Sequence, residues 1–155
     1  MPKSPQFLAK RLRTEGEKMT AFFAELSDAD WDQTVYTEGT MWTIQNVLLH
    51  FVTAEQGFLK LFADIVDGGE GASADFDIDR YNASQQEKGK SLTRQELLAQ
   101  FQAVRKEMAD WVEGLSADDL AKEGRHPFLE KTTLEAMIKM VYRHNQIHYR
   151  DMRKS

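Results

Sequence analysis

The sequence predicts an all-α chain folded as a four-helix bundle, with long connections after the first and second helices. Three observations predict it. Four long stretches carry apolar residues at three- and four-residue steps, glycine and proline gather between those stretches, and no stretch alternates apolar and polar residues for the length of a useful strand. At 155 residues the chain reads as one domain, 1–155, large enough to bury roughly two-thirds of the surface that its unfolded form exposes.

The first stripe runs through Phe7, Leu8, Leu12, Met19, Phe22, Phe23 and Leu26 until SDAD interrupts it, which places a helix over roughly Pro5 to Leu26. Ser27 to Met41 reads as loop. Thr43 is then placed to cap a second helix, its hydroxyl accepting an otherwise orphan amide, and the stripe continues through Ile44, Val47, Leu48, Phe51, Phe58, Leu61, Phe62 and Ile65. The glycines of GGEGAS end it, and DFDIDRYNASQQEKGKS follows as a linker with no sustained stripe. Thr93-Arg-Gln-Glu96 has the spacing of a capping box and opens the third helix, through Leu97, Leu98, Phe101, Val104, Met108 and Trp111. SADDL reads as a short turn of helix and GRHPF as a loop. Thr132-Thr-Leu-Glu135 repeats the capping-box spacing and opens the fourth helix, through Leu134, Met137, Ile138 and Val141.

Composition narrows the chemistry. There is no cysteine, so disulfides, thiolate metal sites and cysteine nucleophiles are excluded, and any metal site must use nitrogen and oxygen donors. The net charge of −5, with signs interspersed, gives no basic footprint for nucleic acid. No stretch approaches the roughly 18 uncharged apolar residues of a membrane span, and the first residues lack the apolar core of a signal peptide. These features set the expectation of a cytoplasmic protein without nucleic-acid or membrane partners.

The histidines carry the strongest chemical signal. His144 and His148 lie about 40° apart around a helix axis, on the same face as Leu134, Met137 and Val141. That face must be buried, and an unpaired buried nitrogen costs on the order of 1–3 kcal/mol. Either a metal ion or buried hydrogen bonds must therefore satisfy both rings. His50, on the edge of the second stripe, is placed to add a third imidazole from another helix, and such a set suits zinc, nickel, iron(II) or copper better than magnesium or calcium. His126, before Pro127, reads as a solvated surface residue. Glu55 is on the apolar face but about 140° from His50, which makes it a buried hydrogen-bond partner rather than a ligand, with a supporting or general-base role as the alternative. Asn145 is a candidate partner for it. Trp42 and Trp111 read as packing residues, Tyr81 and Asn82 as anchors of the linker, and Arg143 and Arg150 as outward-facing charges.

Three segments, Met41-Trp-Thr-Ile-Gln-Asn-Val-Leu-Leu-His50, Asp77-Ile-Asp-Arg-Tyr-Asn82 and His144-Asn-Gln-Ile-His148, resemble in order and spacing the DinB/YfiT-like metal-binding four-helix bundles. The resemblance runs through nearly the whole chain. It implies a divalent transition metal, zinc or nickel, held at one end of the bundle by His50, His144 and His148, and a homodimer. It also implies a low-molecular-weight thiol such as bacillithiol, mycothiol or glutathione as co-substrate, because characterised relatives include thiol-dependent S-transferases and isomerases. No polymerase activity follows from the shared family name.

Three protein ligands leave a coordination position open, the arrangement of catalytic rather than structural zinc. A cation there favours thiolate over thiol, so the expected activity is transfer of a small-molecule thiol to an electrophile. A metal-dependent hydrolase using bound water is the first alternative, and a non-catalytic, stress-associated metal-binding protein is the second.

Overall fold

The computed structural model describes residues 3–154. Its first helix, α1 (Pro5–Ala24), begins where Ser4 accepts the Phe7 amide and Pro5 takes the first helical turn, a position at which its missing N–H costs nothing. The segment expected to be loop, Ser27 to Met41, instead holds a turn of helix, α2 (Asp28–Trp31), and a strand, β1 (Thr34–Tyr36), which pairs with β2 (Trp42–Thr43) just beyond it. Thr43 caps α3 (Ile44–Val66) as expected, and Asn46 returns the bond to the Thr43 amide at 2.8 Å.

The linker expected to lack regular structure contains α4 (Ile78–Gly89), capped by Asp77. No apolar stripe announces this helix, because polar groups hold it to α3. Asn46 and Gln86 exchange two bonds of 2.9 Å, and the Tyr81 hydroxyl donates to the Thr53 carbonyl at 3.1 Å. Thr93 and Glu96 form the expected capping box at the head of α5 (Arg94–Glu113), and SADDL supplies α6 (Ala117–Leu120). GRHPF is not a loop throughout. β3 (Glu123–His126) pairs with β4 (Glu130–Thr133) in an antiparallel hairpin too short to leave a periodic signal. The cap of α7 (Leu134–Lys154) falls one residue later than its sequence spacing suggests. β4 runs through Thr133, and it is the hydroxyl of this last strand residue that accepts the Ala136 amide at 3.2 Å.

The four long helices, α1, α3, α5 and α7, form the core bundle. Each of α1 and α3 packs on both α5 and α7, so α5 and α7 face each other diagonally. The apolar core falls into two parts. One gathers Leu12, Phe58, Phe62, Met108, Met137 and Val141, and the other Met19, Phe23, Leu48, Phe51, Phe101 and Met152. Between them along the four helices come buried Glu15, Glu55, Arg105 and Asn145, a polar layer across an otherwise apolar interior. Among the described residues no helix is long and apolar enough to cross a membrane.

Candidate metal centre

His50 lies on α3 two turns beyond the Thr43 cap, and His144 and His148 lie one turn apart on the buried face of α7. The fold brings the three together. His144 Nε2 is 3.0 Å from His50 Nε2 and 3.0 Å from His148 Nε2, and one ligand atom from each ring lies within 4.8 Å of the others. This is a three-histidine cluster able to chelate a divalent metal ion.

Tyr36 on β1 fixes the orientation of His148. Its hydroxyl donates to Asp151 Oδ2 at 2.6 Å and lies 2.6 Å from His148 Nδ1. The hydroxyl has one proton and the carboxylate has none to give, so Nδ1 of His148 is the donor to the hydroxyl oxygen and Nε2 presents a lone pair to the cluster. A ligating imidazole anchored through its other nitrogen is the usual arrangement at metal sites.

The donor set fits a cation and is poorly satisfied without one. One proton on His144 Nε2 can serve only one of its two 3.0 Å neighbours, so hydrogen bonds among the three rings leave a convergent nitrogen unsatisfied that a cation would take up. Tetrahedral coordination at about 2.0–2.1 Å would place ligand nitrogens roughly 3.3 Å apart, within a few tenths of an ångström of the two 3.0 Å separations from His144. The rings are held neutral, as ligands must be. Burial, with a smaller effect from His148, pushes His50 down to about 3. Burial pushes His148 down to about 4 against the pull of Asp151, and it sets His144 well below the usual imidazole range.

Aromatic rings wall the cluster. Trp42 lies 5.0 Å from His50, ring to ring, so it borders the site as well as closing the helix end, and Phe128 from the hairpin turn stacks on His144 at 6.1 Å. A cleft of about 350 Å³ opens beside His50, lined largely by apolar side chains including Phe58, Leu61, Phe76 and Phe128. Its polar lining comes from Gln56, Lys60, Tyr81, Asn82 and Gln85, and none of its lining residues is acidic. Tyr81 thus both anchors α4 and lines the cleft.

His126 is not a solvated surface residue. It is 2 % exposed, stacked on Phe58 at 5.3 Å, because the hairpin turns its side chain inward. Its Nδ1 accepts the amides of Phe128 and Leu129 at 3.0 and 3.3 Å, which puts the proton on Nε2 and leaves that nitrogen without a lone pair for a metal. Its role is to shape the turn that carries Phe128. Glu55 is a buried hydrogen-bond partner, as expected, but its partner is Arg105, with Nε to Oε1 and Nη2 to Oε2 both 2.8 Å. Asn145 joins the same group by accepting from Arg105. Arg143 and Arg150 are exposed.

A family model described as the DinB superfamily matches residues 11–152. No protein of curated function matches the chain in sequence. Among solved structures, YfiT from Bacillus subtilis, described as "a probable metal-dependent hydrolase with an unusual four-helix bundle topology", is 17 % identical with a TM-score of 0.79, over 97 % of this chain and 84 % of YfiT. An uncharacterised protein from Escherichia coli UTI89 is 14 % identical with a TM-score of 0.77, over 99 % and 93 % of the two chains. A mycothiol-dependent maleylpyruvate isomerase is 16 % identical with a TM-score of 0.75, over 97 % of this chain and 61 % of the isomerase. These likenesses are likenesses of fold.

Proposed function

The chain belongs to the DinB superfamily, and from that premise we propose that it is a divalent-metal-dependent S-transferase that activates a low-molecular-weight thiol at His50, His144 and His148. Three imidazoles suit zinc and nickel as they do iron(II) and copper, and zinc or nickel is the ion that the family resemblance implies. The observation that carries the reading is the pairing of three convergent imidazole nitrogens with an apolar cleft that has no acidic lining residue. A hydrolase that draws the proton from its metal-bound water with a general base needs a free carboxylate beside the metal. Glu55 is held by Arg105 and Asp151 by Tyr36, so neither is placed for that task.

The bound cation would supply Lewis-acid stabilisation of a thiolate over a thiol near neutral pH. The chain supplies the rest. His50, His144 and His148 offer neutral lone pairs, and Tyr36 holds His148 in the ligating tautomer. Trp42, Phe51 and Phe128 exclude water from the histidines. The apolar walls hold an electrophile, while Lys60 and the amides of Gln56, Asn82 and Gln85 offer donors to the polar groups of a small thiol, such as the carboxylates of glutathione or bacillithiol or the hydroxyls of mycothiol. In the transfer the thiol proton leaves to solvent, a carbon–sulfur bond forms, and the leaving group departs with its electron pair.

The test incubates zinc- or nickel-loaded protein with bacillithiol, mycothiol or glutathione and a chromogenic aryl halide, and reads thioether formation by mass spectrometry. The proposal expects product that depends on both metal and thiol and is lost in His50→Ala. Hydrolysis of a generic ester or amide without thiol would support the hydrolase reading instead, and neither reaction would leave a metal-binding protein.

A further inference from the structure

Arg105 makes the most consequential contacts that the chemistry above does not use. It projects from α5 into the polar layer, 4 % exposed, and bonds all three of the other long helices. Nε and Nη2 grip both oxygens of Glu55 on α3, Nη2 also donates to Asn145 Oδ1 on α7, and Nη1 donates to the Leu12 carbonyl on α1 at 3.0 Å. The helices α5 and α7 are diagonal in the bundle, so the bond to Asn145 runs through its middle.

We infer that Arg105 is a positioning residue for the metal centre, setting through Glu55 and Asn145 the separation of the two helices that carry the histidines. Glu55 is five residues beyond His50 on α3, and Asn145 is the neighbour of His144 on α7. A planar guanidinium holds its partners in fixed directions, so a shift of α7 against α3 must break part of the fork. Metal–ligand bonds tolerate roughly 0.2 Å, which makes ion affinity a sensitive gauge of that separation. A second route has the same origin. The guanidinium lies over the Phe101 ring at 5.2 Å, Phe101 packs on Phe51 at 6.1 Å, and Phe51 lies 5.9 Å from His144 and 5.7 Å from His148.

Gly16 supports the assignment independently. A helix interior disfavours glycine, yet a Cβ here would sit 2.7 Å from Arg105 Cγ and 3.2 Å from Nη1. The surface of α1 is cut away where the arginine passes. Stability alone is a weak reason for such a layer, because buried ion pairs often break even against well-packed apolar residues.

The inference rests on the cluster's binding a divalent cation, not on the thiol chemistry. Zinc affinity is measured by competition with a chromophoric chelator for the wild type, Arg105→Lys and Gly16→Ala, with imidazole nitrogen resonances of the metal-free proteins read by NMR. Lysine keeps the charge beside Glu55 but cannot span three helices, and alanine at 16 displaces the arginine without touching any charge. Groups that hydrogen-bond ligating histidines directly are typically worth 10–100-fold in affinity, and Arg105 acts one contact further out. Both folded variants are expected to bind zinc about tenfold more weakly, at the lower end of that range, with shifted His50 and His144 resonances. A merely structural role would lower the melting temperature and leave the affinity of the folded protein unchanged. Affinities within twofold of wild type would overturn the inference, and if Arg105→Lys does not fold, Gly16→Ala decides alone. A wild type that binds no zinc would overturn it together with the metal reading, whereas zinc binding without thiol transfer would leave it standing.

Discussion

The Tyr36 hydroxyl has a single proton, and because Asp151 takes it, His148 must turn its Nδ1–H to the hydroxyl and its lone pair to His144 and His50. Tyr36→Phe removes that acceptor while keeping the ring, and it should weaken zinc binding about tenfold. Competition titration checks this, and an affinity within twofold of wild type would contradict the relay. The three clustered histidines were legible because helical spacing alone puts His144 and His148 on a buried face and leaves His50 on the edge of another. Tyr36 was not legible. It sits in a segment without periodicity and meets His148 only when the chain folds back. His126 misled for a related reason, since nothing local shows that a two-stranded hairpin turns its ring inward. Arg105 and Gly16 did leave a signal. A charge stands in the stripe of Phe101 and Met108, and a glycine stands between Leu12 and Met19, each at a position that should be apolar.

At the scale of elements, capping chemistry read well wherever a helix begins after a polar turn. Thr43 and Thr93 cap as their spacing indicates, since a hydroxyl three residues ahead of a free amide needs no tertiary partner. The fourth long helix starts one residue later than its spacing implies because β4 stays paired and extended through Thr133, so that its last residue rather than Thr132 stands at the helix start, a competition that local sequence does not reveal. The helix α4 escaped because one amide pair, Asn46 with Gln86, and a tyrosine hydroxyl, rather than an apolar stripe, dock it on α3. Thr43→Ala should cost about 1 kcal/mol of stability. Urea unfolding is expected to show a lower midpoint with an unchanged slope, and a loss under about 0.3 kcal/mol would mean that packing, not the cap, fixes the start of the helix that carries His50.

For the whole molecule, burying imidazoles as neutral rings makes stability depend on pH. Burial leads the causes that bring His50 down to about 3, His148 to about 4 and His126 to about 4, and it sets His144 well below its ordinary value. In the unfolded chain the same rings take up protons near pH 6.5. The unfolded state therefore binds more protons between about pH 6.5 and 4, and stability present above that window is lost as pH falls through it. Each ring contributes up to about 1.4 kcal/mol per pH unit there. Urea midpoints of chelator-treated protein should be level from pH 8 to 7 and fall steeply between 6.5 and 4.5, whereas a flat profile down to pH 5 would contradict neutral burial. The bundle itself was legible because four amphipathic stripes must bury one another. Of the polar layer that divides its core, Glu55 and Asn145 were legible as inward-facing polar residues, but their meeting at Arg105 was not, because it needs residues from different helices at the same level.

The central claim is that His50, His144 and His148 together bind a metal ion, and elemental mass spectrometry of untagged protein tests it most directly. Purified wild type should carry close to one equivalent of a divalent transition metal, and His50→Ala and His148→Ala should lose it while keeping the helical circular dichroism spectrum. Wild-type protein that stays metal-free even after incubation with zinc and nickel would contradict the account.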